Sequence, residues 1–444
     1  MTILYTHTDT PRRTHELAEV QQMKEFGASA EEALQYVQTA PSARGATMRG
    51  VPFEKREHVR VGFVGVGGRG HGLLREMLAV EGAQVTAVSD VVEAHALRAR
   101  DSVQEAGQPT PAIEADWRRL CERDDVDLVY VCSPWDWHTP QTVWAMQCGK
   151  HVAVEVPAAT TLADCWQLVD TSEQTRRHCT LLENCVYGYS EMMVLNIVRA
   201  GMLGTLTHAE AAYIHDLRSL LLSDWGEGLW RREPHKTRNG NLYPTHGLGP
   251  VARYLDIHRG DRLTRIVSMS SLSAALAEYR DAHVPADNPK RSERYICGDM
   301  NSSLIQTALG RTILLQHDVV TPRPYSRLNL VQGTKGTFAD YPPRIFLDGQ
   351  SDHAWQSLDA FKGQYEHSLW KEYGELALKM GGHGGMDFLM NYRLIQCFRQ
   401  GEPPDIDVYD AAAWSAPGPL SEISVAWGSI PLPFPDFTRG HWKT

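Results

Sequence analysis

The chain has 444 residues, of which 42% are hydrophobic and 22% are charged, and its formal net charge is −10. This length predicts two domains, each large enough to bury a hydrophobic core. The acidic residues are spread along the chain, whereas nucleic acids and anionic membranes bind clustered Lys and Arg, so the charge argues against both as partners.

The cysteines and the N-terminal segment indicate the compartment. No pair of the eight Cys residues shows C-x-x-C spacing, and no Cys/His cluster resembles a zinc site, so we expect reduced thiols and no metal centre. A polar, helical segment follows Arg12-Arg13 instead of an apolar signal run, and no apolar run is long enough to span a bilayer. These features predict a cytoplasmic protein.

The first half of the chain alternates between strands and helices. Residues 1–45 are predicted to be an N-terminal extension whose helical pattern is weakened by Gly27. Strands are then predicted over 59–65, 83–90, 126–132, 151–155 and 179–183, with helices over 70–79, 92–106, 139–148 and 161–175. This alternation predicts an α/β Rossmann domain with a doubly wound parallel sheet, over residues 46–186.

The alternation stops after Asn184. Apolar runs predict strands over 206–213, 263–269, 302–307 and 312–317, joined by loops and hairpins. We therefore expect residues 187–444 to form an α+β domain built on a mainly antiparallel sheet with helices on one face.

A glycine-rich turn joins the first predicted strand to the first helix of the Rossmann domain. The run Gly65-Val66-Gly67-Gly68-Arg69-Gly70 fits G-x-G-x-x-G in the strand-to-helix context that the motif requires. The glycines allow close backbone approach, and the helix N-terminus faces a pyrophosphate. Asp90 ends the next strand, where a carboxylate accepts ribose hydroxyls and repels a 2′-phosphate. The motif thus predicts NAD in preference to NADP.

This arrangement resembles the Gfo/Idh/MocA oxidoreductase superfamily, in which a Rossmann domain precedes an antiparallel sheet that forms the substrate site. In most of that superfamily a strand ends in Glu-Lys-Pro, and the Lys takes part in proton transfer. This chain has Glu155-Val156-Pro157 at that place. Valine cannot move a proton, so the usual base of a dehydrogenase is missing.

That departure and several other segments resemble glycoside hydrolase family 109, the NAD-dependent α-N-acetylgalactosaminidases. The match runs from about residue 46 to the C-terminus, and its most specific part is the Tyr-Pro-Thr-His-Gly run at 243–247. The other matching segments lie at 135–138, 183–187, 213–218, 239–250 and 383–387.

The resemblance implies two sets of site residues. It implies NAD contacts at Gly68, Arg69, Asp90, Trp135, Asp136, Trp137, His138, Glu155, Val156 and Asn184. It implies sugar contacts at Tyr213, Arg231, Tyr243, Pro244, Thr245, His246 and Tyr325. We also count Arg231 among the residues that contact the cofactor.

The chemistry implied by the family is hydrolysis without net redox change. The sugar C3 hydroxyl is oxidised, the C2 proton becomes acidic, the C1 substituent is eliminated, and water addition and reduction complete the cycle. His246 can accept a proton near neutral pH, which suits the C3 step. Tyr187 follows the last Rossmann strand and is our candidate for the C2 base. Tyr243 shares the face of His246 if a helix begins there.

Three functions remain open at this point. The first is a glycosidase acting on terminal N-acetylgalactosamine, with α linkages favoured. The second is a net NAD-dependent sugar dehydrogenase, and the third is a non-catalytic NAD-binding sensor. In each case the partner is a small molecule or glycan, and we expect a homo-oligomer paired through the exposed face of the antiparallel sheet.

Overall fold

A computed structural model describes residues 19–25, 27–350 and 352–443. The chain forms two sheets, a six-stranded parallel sheet and a nine-stranded mixed sheet, joined by one continuous hydrophobic core. No helix within the described ranges is both long and apolar enough to cross a bilayer.

The first sheet has the strand order β3-β2-β1-β4-β5-β6, and all its pairs are parallel. Its strands are β1 (Val59–Val64), β2 (Ala83–Ser89), β3 (Ala112–Ile113), β4 (Leu128–Val131), β5 (His151–Val154) and β6 (Cys179–Leu181). The central strands are almost continuously buried because helices cover both faces of the sheet. The predicted doubly wound Rossmann sheet is confirmed, with β3 as an additional edge strand.

Five helices connect these strands. They are α3 (Arg69–Met77), α4 (Glu93–Glu105), α5 (Trp117–Glu122), α6 (His138–Gln147) and α7 (Leu162–Thr175). Helix α3 begins inside the glycine turn, and α6 begins just after the carboxyl end of β4. Both helix N-termini therefore lie at the edge of the sheet where ligands of such folds bind.

The described part of the N-terminal extension has two helices, α1 (Glu19–Glu25) and α2 (Ala30–Gln38). The helical pattern breaks at Gly27, which has a φ of 69°, and α2 starts anew with a Ser29–Glu32 capping box. Ala33 and Val37 of α2 are buried. The Trp427 indole donates to the carbonyl oxygen of Ala28 at 3.1 Å. The extension thus packs on the C-terminal part of the chain.

The second sheet has the order β14-β13-β12-β11-β7-β10-β9-β8-β15. Its strands are β7 (Leu206–Ile214), β8 (Leu263–Ser270), β9 (Asn301–Thr307), β10 (Thr312–Asp318), β11 (Leu330–Gly333), β12 (Gly336–Ala339), β13 (Arg344–Leu347), β14 (Gln356–Ser357) and β15 (Leu432–Pro433). The described pairs are antiparallel except for β7 and β10, which run parallel. The sheet is therefore mainly antiparallel, as predicted.

The described residues after the Rossmann sheet form ten further helices. They are α8 (Tyr189–Arg199), α9 (Arg218–Leu221), α10 (Glu233–Thr237), α11 (Thr245–Tyr254), α12 (Ala275–His283), α13 (Lys362–Tyr365), α14 (Ser368–Met380), α15 (Met386–Gln400), α16 (Val408–Ser415) and α17 (Pro417–Ala426). Helix α11 contacts both β7 and the 3-10 turn Asn184–Tyr187 that follows the Rossmann sheet. This contact brings side chains of the two sheets into one site.

Candidate active site

The glycines of the turn differ in how closely they are packed: Gly65 and Gly70 lie against other backbone atoms, whereas Gly67 and Gly68 do not. Gly65 has a φ of 82°, and a Cβ there would lie 2.9 Å from the backbone of Cys132. A Cβ at Gly70 would collide with the Gly65 carbonyl oxygen, which keeps α3 close to β1. By contrast, a Cβ at Gly68 would meet nothing within 4 Å, and one at Gly67 would touch only the His95 ring. The turn therefore fits a pyrophosphate above Gly67 and Gly68.

The carboxylate of Asp90 is fixed at the end of β2. It accepts hydrogen bonds from the backbone N–H groups of Val66 and Val92, each at 2.8 Å. Arg98 holds the same turn from the other side by donating to the carbonyl oxygens of Val66 and Gly67. Asp90 thus lies beside the glycine turn, where an adenosine ribose is expected.

The Arg69 guanidinium spans the crevice between the two parts of the chain. Its Nε donates to Glu155 Oε1 at 2.6 Å, and its terminal nitrogens donate to both oxygens of Asp387, at the start of α15. Asn184 Nδ2 also donates to Asp387 Oδ1, at 2.7 Å. Although burial opposes its charge, the Arg69 guanidinium keeps the pKa of Asp387 well below its usual range. We call Arg69, Glu155, Asp387 and Asn184 the crevice bridge.

The residues at 135–138 have different surroundings from one another. Trp135 is buried, and its ring packs on Tyr243 at a centroid distance of 5.7 Å. The side chain of Asp136 is exposed, and Trp137 packs edge-on against Trp117. Both ring nitrogens of His138 lie 2.7 Å from backbone carbonyl oxygens, so both are engaged by contacts within the protein. The structure therefore brings only Trp135 of the four next to the predicted sugar contacts.

His246 and Glu183 form a buried pair at the centre of the site. His246 Nδ1 lies 2.8 Å from Glu183 Oε1 and 3.0 Å from Oε2. The Glu183 side chain has no exposed surface. Burial opposes its charge, yet the adjacent His246 ring holds the pKa of Glu183 below its ordinary value. An Nδ1–H donated to Glu183 leaves His246 Nε2 as the proton acceptor, as in other His–carboxylate pairs.

Helix α11 begins at Thr245, after Tyr243, so the two residues do not share a helical face, but their rings meet at a centroid distance of 4.9 Å. The Tyr243 hydroxyl lies 3.4 Å from His246 Nε2, and the Tyr213 ring packs on both residues. Pro244 and Thr245 are buried and form the start of the helix. Burial raises the pKa of the Tyr243 and Tyr213 phenols, so both remain protonated near neutral pH.

A buried cation and two further aromatic residues complete this cluster. The Arg231 guanidinium lies 4.8 Å from the Tyr243 ring centroid and 5.3 Å from that of Trp135. Tyr325 packs on Tyr213 at 6.2 Å and accepts a hydrogen bond from Arg327 at 3.0 Å. The predicted sugar contacts therefore meet in one place, at the carboxyl ends of β4, β5 and β6.

Tyr187 lies apart from this cluster. Its hydroxyl donates to Asp405 Oδ2 at 3.2 Å, and burial raises the pKa of the phenol well above its ordinary value. The ring lines a cavity that includes Leu394, Cys397 and Asp405. This placement contradicts our prediction that the Tyr187 phenol faces the sugar, because the 3-10 turn Asn184–Tyr187 directs the ring to the opposite side.

Cys185 lies next to the His246–Glu183 pair. One ligand-type atom from each of Glu183, Cys185 and His246 lies within 4.8 Å of the others. The Cys185 thiol instead donates to Asn184 Oδ1 at 3.4 Å. His246 Nδ1 is also engaged by Glu183. The geometry therefore favours a hydrogen-bonded pair over a metal centre.

Three residues of the site were not predicted from the sequence as site residues. Glu183 lies in the matching segment 183–187, but its partner His246 is 63 positions away, and Arg327 pairs with Glu191, which is 136 positions away. His215 accepts from or donates to the Tyr213 hydroxyl at 3.0 Å and packs edge-on against Tyr325. A signal for His215 was present, because it lies two residues after Tyr213, just beyond the end of β7, and side chains two positions apart in an extended chain face the same side.

The fold and the site together define a class: an NAD-binding enzyme of the Gfo/Idh/MocA type, with a polar and aromatic site between its two parts. Residues 59–182 match the model of the oxidoreductase family with an NAD-binding Rossmann fold. Residues 187–444 match the model of the glycosyl hydrolase 109 C-terminal domain. The chain belongs to glycosyl hydrolase family 109.

Relatives over nearly the whole chain agree with this assignment. A glycosyl hydrolase family 109 protein from Solibacter usitatus is 58% identical over 404 residues, which cover 90% of this chain and 92% of the relative. Another from Saccharopolyspora erythraea is 55% identical over 408 residues, which cover 90% of this chain and 88% of the relative.

Solved structures with the same fold have much lower sequence identity. A levoglucosan dehydrogenase in complex with NADH and levoglucosan has a TM-score of 0.67 and 16% identity, covering 85% of this chain and 100% of that chain. An inositol dehydrogenase homolog complexed with NAD+ from Azotobacter vinelandii has a TM-score of 0.62 and 16% identity, covering 86% and 99%. The predicted NAD-binding fold is confirmed.

Proposed function

We propose that the protein hydrolyses terminal N-acetylgalactosamine residues, with α linkages favoured, by NAD-dependent transient oxidation at C3, elimination and water addition. The observation that carries the proposal is the His246–Glu183 pair beneath Tyr243 and Tyr213. This arrangement suits proton transfer at a sugar hydroxyl. In the proposed division of the chain, residues 46–186 hold the cofactor, residues 187–444 supply the sugar contacts, and residues 1–45 are an extension.

The residues of the crevice fit NAD. Bound NAD supplies a hydride acceptor and donor, and the glycine turn, Asp90 and the crevice bridge would hold it. Val156 is buried and carries no titratable group, so the strand end contributes no proton acceptor of the usual dehydrogenase kind. Proton transfer therefore falls to residues of the second sheet and its helices.

His246 is the proposed base for the C3 hydroxyl. Its Nε2 accepts the proton while Glu183, fully buried, stabilises the positive charge that develops on the ring. Protonated Tyr243 lies beside Nε2 and can donate a hydrogen bond to a sugar oxygen. The buried cation of Arg231 suits the acetamido carbonyl or a neighbouring hydroxyl.

The pair of Tyr213 and His215 is the proposed acceptor for the C2 proton. Tyr213 packs between the His246 and His215 rings, with centroid distances of 5.4 and 5.7 Å. Burial and the nearby Arg231 lower the pKa of His215, so this imidazole is neutral and can accept a proton. Two imidazoles on either side of one phenol match the two proton transfers that the reaction requires.

The decisive experiment uses purified protein without added cofactor and an aryl N-acetyl-α-D-galactosaminide in deuterated water. We expect release of the aryl group with deuterium at C2 of the product. Steady formation of NADH on adding sugars, without release of the aryl group, would instead support a net dehydrogenase. Release without deuterium would call for a C2-deuterated substrate and its kinetic isotope effect.

Two variants separate the proposed proton transfers. His215→Gln should abolish exchange at C2 while still allowing oxidation at C3, so the absorbance of reduced nicotinamide should rise on the enzyme after the aryl glycoside is added. His246→Gln should give neither exchange nor this absorbance, because C3 oxidation comes first. If both variants behaved alike, the assignment of His215 to the C2 step would be wrong.

A homo-oligomer is also proposed, and one face of the second sheet supports it. Met269 on β8 and Leu304 on the neighbouring strand β9 are 65% and 49% exposed. Apolar side chains on an open sheet face are typical of subunit contacts. Light scattering on the purified protein tests this, and a molar mass of a single chain of 49.7 kDa would contradict it.

A further inference from the structure

A second cavity lies behind the elements that hold the His246–Glu183 pair. Its volume is about 360 Å³, and its lining includes Tyr187, Arg199, Arg253, His367, Arg393 and Asp405. Arg253 lies at the opposite end of α11 from His246, a separation of about 10 Å at the rise of an α-helix. The cavity is therefore close to the active site but distinct from it.

The acidic groups at this cavity already accept hydrogen bonds from neighbouring side chains. Arg393 donates to Asp405 Oδ2 at 3.0 Å and to Glu402 Oε2 at 2.8 Å. The Tyr187 hydroxyl also donates to Asp405 Oδ2. Asp405 and Glu402 together carry two negative charges, so the three arginines that line the cavity exceed them by one positive charge.

Arg253 and Arg199 differ from Arg393 because neither forms an ion pair with a carboxylate of the described residues. In the described ranges, no carboxylate lies within ion-pair distance of either guanidinium. Arg253 donates to the main-chain carbonyl oxygen of Asp405, and burial together with the neighbouring Arg259 lowers its pKa. Arg199 ends α8 and is exposed, and after burial it is the main group that lowers the pKa of His367. The cavity therefore carries an excess of positive charge.

We propose that this cavity binds a small ligand bearing a phosphate group. Guanidinium groups pair with phosphate through parallel hydrogen bonds, and three of them line this one cavity. The volume lies in the range of small-molecule sites, roughly 300–1,000 Å³. Helix α14 also begins here, with Ser368 and Leu369 in the lining, so its positive end faces the same space.

The site is built on the same two elements as the catalytic pair. Helix α11 carries His246 near its start and Arg253 near its end. The turn Asn184–Tyr187 directly follows Glu183 and ends with the ring that lines the cavity. A phosphate on Arg253 would lie near the Asp405 carboxylate, to which the Tyr187 hydroxyl donates, and would repel it. We therefore expect the ligand to change the turnover number, although its binding does not depend on the proposed activity.

Binding is tested on the full chain with inorganic phosphate and a hexose 6-phosphate as probes, against chloride at equal ionic strength. We expect a saturable rise in melting temperature and a measurable Kd by calorimetry. Arg199→Gln should weaken binding at least tenfold and leave the melting temperature without phosphate unchanged. The matched control is Arg119→Gln, an exposed arginine in the last turn of α5, which should bind like the parent.

Either probe can support the site. Tighter binding of the ester indicates a sugar phosphate, and tighter binding of inorganic phosphate indicates the free ion. The proposal is overturned if neither probe binds saturably, or if Arg199→Gln and Arg119→Gln bind equally well. The aryl glycoside assay is a separate readout, in which phosphate should alter kcat of the parent but not of Arg199→Gln. If the protein has no glycosidase activity, the binding measurement still tests the phosphate site by itself.

Discussion

Replacing Glu183 by Gln tests the catalytic pair most directly. The carboxylate lies 2.8 Å from His246 Nδ1 and is fully buried, so it can stabilise the imidazolium that forms when Nε2 takes the C3 proton. Glutamine keeps the shape and one acceptor but removes the charge. We therefore expect a positioning and electrostatic effect on turnover, with the sugar contacts of Tyr213, Tyr243 and Arg231 left in place.

The magnitude follows from the geometry. A hydrogen bond to a charged group contributes ~1.5–3 kcal/mol. The attraction between opposite charges ~4 Å apart is ~4 kcal/mol at the effective dielectric of a protein. A loss of ~2–4 kcal/mol of transition-state stabilisation lowers kcat by roughly 30- to 1,000-fold. KM should change little, because the substrate is neutral before the proton moves.

The assay is initial-rate hydrolysis of the aryl N-acetyl-α-D-galactosaminide, with melting temperatures measured in parallel. Glu173→Gln is the matched control, since Glu173 is an equally buried carboxylate that pairs with Arg439 away from the site. That variant should retain kcat even if it melts earlier. A kcat for Glu183→Gln within threefold of the parent (a change of less than ~1 kcal/mol) would refute the role of Glu183.

Three other predictions, which use four variants, test individual placements. Tyr187→Phe should leave kcat almost unchanged because the hydroxyl contacts Asp405, and a loss of roughly 100-fold would restore Tyr187 as a base. Gly65→Ala should lower the free energy of unfolding by ~2 kcal/mol or more in denaturant titrations, because φ is 82° and the Cys132 backbone is near, whereas Gly68→Ala should fold normally and bind NAD more weakly. Equal stability of the two would contradict this account. Burial and Asp387 raise the pKa of Glu76 from 4.5 to about 7. The folded chain thus binds the extra proton in that window, and its free energy of unfolding should fall as the pH rises through it, by up to ~3 kcal/mol. Glu76→Gln should remove this fall, and parallel pH profiles for variant and parent would speak against it.

Local sequence was sufficient for the glycine turn and for the position of Asp90 beside it. Each depends on residues a few positions apart, or on a strand-turn-helix pattern that sequence periodicity reveals. The two-residue strand β3 was not predicted, because so short a run has no periodicity. The parallel pairing of β7 with β10 was also not predicted, since the sequence pattern of a strand does not specify which strand pairs with it.

The long-range contacts of the site could not be predicted. Glu183 and His246 are 63 positions apart, and Arg69 and Asp387 are 318 apart. Tyr187 shows the limit most clearly. Its position after β6 was predicted correctly, but one 3-10 turn decides which side of the chain its ring faces, and only the packing against Asp405 sets that direction.

The crevice bridge has a kinetic consequence. Arg69 starts in the glycine turn and reaches Asp387 at the start of α15, so a dinucleotide lying along that turn is enclosed by ion pairs from both halves of the protein. A cofactor that ends each turnover in its starting oxidation state has no need to exchange with the surrounding pool. If the proposed cycle without net redox change holds, the protein should follow a one-substrate rate law, independent of free NAD, and carry its cofactor as a prosthetic group.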